Sequence, residues 1–152
     1  MSISARLTEL GIELPAVAAP VAAYVPAVVH SGLVYTSGQL PFTDGALPAT
    51  GKVGAAVDAE AAKSYARTCA LNALAAAADA AGGVDRIAGV LRVGGFVASV
   101  PEFSGQPGVI NGASEVLGEI FGDAGRHARA AVGVPVLPLD SPVEVEVTFV
   151  LA

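Results

Sequence analysis

The stretch Val143-Glu144-Val145-Glu146-Val147-Thr148-Phe149 constrains the chain more than any other segment. Strict alternation has a period of two, so the segment is a strand with one apolar and one polar face. Val143, Val145, Val147 and Phe149 should meet helices, while Glu144, Glu146 and Thr148 should face the other way. Arg129–Val136 reads as a second strand, with Val132, Val134 and Val136 on one side and Arg129, Ala131 and Gly133 on the other. If the two strands share a sheet with their valines turned inward, Arg129 shares a side with Glu144 and Glu146. On the residues alone that side fits a solvated surface, a structural Arg–Glu pair at a subunit contact, or a binding site.

The rest of the chain supplies the layers around such a strand. Ile3, Leu7 and Leu10 recur at helical spacing over residues 2–10, and Gly11 closes the turn. Residues 11–23 hold two prolines and read as an extended lead-in. Tyr24–His30 and Leu33–Gln39 flank Ser31-Gly32 and form a predicted hairpin. A turn-rich loop over Phe42–Thr50 follows, and Gly51–Gly54 is a candidate short strand. Asp58 is a predicted N-cap for a helix running to Ala80 and stopped by Gly82-Gly83. Lys63 and Arg67 mark its wet face, and Cys69 its core. Arg86–Ser99 is a long β-rich run in which Gly94-Gly95 suggests a bulge or bend. A second long helix spans Pro107–Phe121. The order predicts one α+β domain over 1–152, with 1–19 an N-terminal helix and lead-in. Its sheet is mixed and mostly antiparallel, with the two main helices on one face.

Composition excludes several function classes. Apolar residues make up 53% and charged residues 14%, which is the balance of a packed domain and the opposite of a disordered one. So few charges leave apolar surface over, and an oligomer is the expected cover. The net charge is −6, with 8 Lys+Arg that stand singly apart from Arg126 and Arg129. Nucleic-acid binding leans on basic patches, so no such partner is expected. No apolar stretch reaches the ~20 residues of a membrane span, and no signal core opens the chain. With one cysteine there is no internal disulfide, and a cytoplasmic location is expected. His30 and His127 lack metal-site spacing, so no metal is expected.

Three segments together resemble one family. Arg129, Leu137-Pro138 and the alternating Glu144 and Glu146 match the C-terminal signature of the Rid (YjgF, reactive intermediate deaminase) family. Tyr24-Val25 followed by Tyr35-Thr36-Ser37-Gly38-Gln39 is similar to its N-terminal hairpin, and Val109-Ile110-Asn111 to the opening of its second helix. The resemblance implies a chorismate-mutase-like (YjgF-like) fold, a homotrimer with sites between subunits, and hydrolysis of 2-imino or enamine acids to 2-keto acids and ammonia. Carried over by motif, Arg129 would hold the substrate carboxylate, Glu144 would sit by the attacking water, and Tyr24 would complete the catalytic set, shaping the cleft or donating its hydroxyl. Ser37, Gly38 and Asn111 would meet the ligand. Ala131 stands where the family carries a reactive cysteine, so thiol chemistry there is excluded. The N-terminal helix and His127 mark a divergent subgroup.

The implied chemistry suits these residues. A guanidinium forks onto a carboxylate through two parallel hydrogen bonds, which a lysine does not reproduce. A half-buried glutamate with a raised pKa can shuttle a proton near neutral pH. No cofactor is needed. Two alternatives stay open: a trimer that binds small carboxylates without chemistry, and, less favoured by the acidic charge, an endoribonuclease.

Overall fold

A computed structural model describes residues 1–17 and 23–152, so positions 18–22 of the expected lead-in lie outside the described residues. The first helix, α1 (Ile3–Leu10), starts on Ser2, whose hydroxyl accepts from the Ala5 N–H, and ends on Gly11 in the left-handed region. Strands β1 (Ala27–His30) and β2 (Leu33–Thr36) form the expected hairpin. Ser31 and Gly32 both take positive φ, the turn that matches the twist of its flanking strands. Both strands are shorter than expected. Pro26 precedes β1 without an N–H to give, and the chain leaves β2 at Ser37, whose N–H turns to the Pro26 carbonyl.

Helix α2 (Ala59–Ala81) is capped by Asp58, which accepts from the Ala61 N–H at 2.8 Å, and stops at Gly82 with φ 82°. Strand β3 (Ile87–Ala98), helix α3 (Gln106–Phe121), strand β4 (Ala128–Val134) and strand β5 (Val143–Leu151) complete the order. The sheet runs β1-β2-β5-β3-β4, with only β3 and β4 parallel. Helices α2 and α3 pack on one face and on each other. Val143, Val145, Val147 and Phe149 are buried beneath them, as their alternation predicts. No helix among the described residues is long and apolar enough to cross a membrane.

Three expectations are corrected. Gly51–Gly54 is not a strand: Val53 makes only isolated bridges, to Val57 and Ser99, and Gly54 breaks the extension with φ 92°. Gly94-Gly95 is not a bulge, because both residues stay in register with β5 and β4. The register slips fall at Ala88 and Leu91 instead. Gly95 answers a packing need, since a Cβ there would come within 2.5 Å of Ile110 on α3.

The third correction moves Arg129. Strand β3 lies between β4 and β5, and its register pairs Val93 with both Arg129 and Val147. Paired residues share a face, so Arg129 projects to the helix side with buried Val93. Glu144 and Glu146 pair with Phe96 and Gly94 and lie on the open side. The valine rule fails on β4 because α3 sits close over it. Ala131 and Gly133 fit below the helix, and Val132 turns outward, 45% exposed.

Candidate functional site

Residues singled out from the sequence gather in two clusters. The first lies where β4 passes α3. Arg129 Nη1 donates to Asn111 Oδ1 at 2.8 Å and to Ser114 Oγ at 3.2 Å, and Nη2 donates to the Pro107 carbonyl at 3.3 Å. Positions 107, 111 and 114 lie one turn apart, so a single stripe of α3 presents all three acceptors. Asn111 is the sixth residue of α3, so its amide serves Arg129 and not the helix end. The guanidinium has five N–H donors, and these bonds use both on Nη1 and one on Nη2. Nε–H and the second Nη2–H remain, among the described residues, as a two-pronged edge.

Two members of this cluster carried little weight in the sequence. Ser114 is three residues beyond Asn111, and that i, i+3 spacing opposite an arginine was the available signal. His127 reads as a loop residue, yet its ring is held at both ends. Nδ1 lies 2.6 Å from the Gly125 carbonyl and Nε2 lies 2.9 Å from Ser114 Oγ.

The second cluster lies beside the end of β2. The Glu144 carboxyl packs over Gly38, where a Cβ would approach its Cδ to 2.8 Å. A larger residue at position 38 would displace the Glu144 carboxyl from its present place. The Ser37 hydroxyl donates to the Val25 carbonyl at 2.7 Å, which ties this corner to Tyr24, half exposed. Gln39 pairs with Val145 through both backbone bonds and holds the segment against β5.

The two glutamates differ. Glu146 lies 3.6 Å from Arg92 Nη1, whereas Glu144 joins no ion pair among the described residues. Burial, and then the charge of Glu146, hold the Glu144 carboxyl above its ordinary pKa. Cys69 is buried in α2, and burial pushes its thiol well up, which leaves it inert. No three His, Cys, Asp or Glu side chains among the described residues come together as a metal site.

One chain therefore brings Arg129 and Asn111 together, and separately Glu144 and Gly38, with Ser37 beside Gly38 and Tyr24 beside Val25, whose carbonyl takes the Ser37 hydroxyl. It holds the two groups on opposite sides of its sheet. Comparison with known proteins assigns the chain to a family. The pattern of the family described as "YjgF/chorismate mutase-like, putative endoribonuclease" matches residues 4–150. Protein TCP17 of Trypanosoma cruzi is 42% identical over 145 residues, 95% of this chain and 91% of that protein. The crystal structure of Atu1372, of unknown function, from Agrobacterium tumefaciens superposes with a TM-score of 0.90 at 44% identity, covering 99% of this chain and 92% of that one. Escherichia coli TdcF with bound serine superposes with a TM-score of 0.63 at 26% identity, covering 90% and 94%. Matched over nearly its whole length by the family pattern and by a relative this similar, the chain belongs to the YjgF/chorismate mutase-like family.

Proposed function

We propose that the protein hydrolyses 2-imino and enamine acids to 2-keto acids and ammonia, without a cofactor, at sites shared between subunits of a cytoplasmic homotrimer. The observation that carries this reading is the edge left on Arg129. Three acceptors on α3 fix the guanidinium, and its Nε–H and remaining Nη2–H match the two oxygens of a carboxylate. The bound serine of TdcF supports a small carboxylate ligand in this family.

The second cluster supplies the chemistry. Glu144 joins no ion pair among the described residues, and burial holds its carboxyl above the ordinary pKa, so it suits proton transfer. It takes a proton from water as the water oxygen bonds to the imine carbon, and the C=N electron pair moves to nitrogen. Glu144 returns that proton to nitrogen, giving a carbinolamine; it then takes the hydroxyl proton as the carbonyl forms and passes it to nitrogen, so that the C–N bond breaks and ammonia leaves. Glu146, paired with Arg92, is better suited to a structural role. Ser37, Gly38 and Tyr24 shape the wall beside Glu144.

Because Arg129 and Glu144 lie on opposite sides of one sheet, a site that uses both needs two copies of the chain. The open face supports assembly: Val28, Tyr35 and Val132 project from it, each about half exposed. The family description also names an endoribonuclease, but 8 basic against 14 acidic residues weigh against a polyanionic substrate.

The test is a coupled assay in which 2-iminobutanoate is generated enzymatically and its decay followed with and without the protein. Faster decay to 2-oxobutanoate supports hydrolysis. Saturable binding of 2-oxobutanoate with no faster decay would replace it with a carboxylate-binding role.

A further inference from the structure

The Arg129 anchor has a support that the hydrolysis scheme does not use. A carbonyl oxygen can only accept, so the 2.6 Å contact between His127 Nδ1 and the Gly125 carbonyl places a hydrogen on Nδ1. In the uncharged ring Nε2 then carries a lone pair, and the Ser114 hydroxyl 2.9 Å away must donate to it. With its hydrogen committed, Ser114 Oγ turns its lone pairs to Arg129 Nη1 at 3.2 Å. In the uncharged ring the direction of every bond in this chain follows from the one at Gly125.

We infer that His127 is a positioning residue: through Ser114 it fixes the rotation of the Arg129 guanidinium and so aims the Nε–Nη2 edge at the ligand carboxylate. This rests on the reading of Arg129 as a carboxylate anchor. Without an acceptor at Nε2, the Ser114 hydroxyl is free to rotate its hydrogen toward Arg129, where donor would meet donor. The guanidinium would keep Asn111 and lose one of its three fixed points.

Two measurements test the inference. Long-range ¹H–¹⁵N correlation on the unmodified protein, at a pH where the ring is uncharged, should show His127 protonated on Nδ1. A ring protonated on Nε2 would overturn the inference while leaving the anchor intact. Calorimetric titration with 2-oxobutanoate should give about tenfold weaker binding in His127→Phe, the change that one hydrogen bond makes in an equilibrium constant. His127→Gln, whose Oε1 can accept from Ser114, should restore most of that loss. Ser114→Ala should match His127→Phe, and the double variant should lose no more than either. Unchanged binding in His127→Phe, or equal loss in His127→Gln, would overturn the positioning role. No binding by the wild-type protein would instead remove the anchor, and this inference with it.

Discussion

At the scale of the residue, Glu144 and Arg129 have separable effects. The Glu144 carboxyl is held above its ordinary pKa, so the folded chain keeps that proton to a higher pH than the unfolded chain does. Stability is then lost as pH rises through the carboxylate range, and ionised Glu144 is a liability at neutral pH. Glu144→Gln should leave the chain as stable or more stable at pH 7 in denaturant titrations. The advantage should fade below about pH 4, where an unperturbed glutamate is itself protonated. Hydrolysis should fall on the order of 10²–10⁴-fold in the same variant, with 2-oxobutanoate still bound. Destabilisation at pH 7 would make Glu144 structural. Arg129→Lys should abolish most 2-oxobutanoate binding without unfolding the chain, and wild-type affinity would remove Arg129 from the site. The sequence motif singles out both residues as candidates. The side on which Arg129 lies was not legible there, because the inward-valine rule assumes that only one face of the sheet is apolar. Here Val132 serves a face that is itself available for burial.

At the scale of the element, the structure follows local signals wherever one residue's chemistry decides. Asp58, Gly82 and the Ser31-Gly32 turn each set a boundary close to where the sequence places it. Features that depend on a distant neighbour were hidden. Gly95 is small because Ile110 crosses it, and the bulges fall at Ala88, beside the single Gly89, and at Leu91, away from the Gly94-Gly95 pair. Helix α2 extends the point. Ala62, Ala66, Ala70, Ala73 and Ala77 are fully buried, so small side chains let the helix lie close to β5 and α3. Ala73→Leu should overpack that contact and destabilise the fold by about 1–3 kcal/mol. Thermal unfolding should show it as a midpoint lowered by several degrees, and an unchanged midpoint would mean that the layer is looser than described.

At the scale of the whole molecule, low charge and a sheet with helices on one side already pointed to an oligomer. Under the proposed hydrolysis, the opposed positions of Arg129 and Glu144 would require such an oligomer. Light scattering should return about three times the 15.0 kDa chain mass, and a stable monomer would leave each half-site without its complement. The most direct test of the account mixes two inactive variants. Arg129→Lys and Glu144→Gln chains are denatured together, refolded at equal amounts, and assayed for hydrolysis of 2-iminobutanoate. Random mixing furnishes about a quarter of shared sites with both native residues. A site built from two chains lets the mixture regain about that fraction of wild-type activity; a mixture as inactive as its two components would mean that no site joins Arg129 of one chain to Glu144 of another.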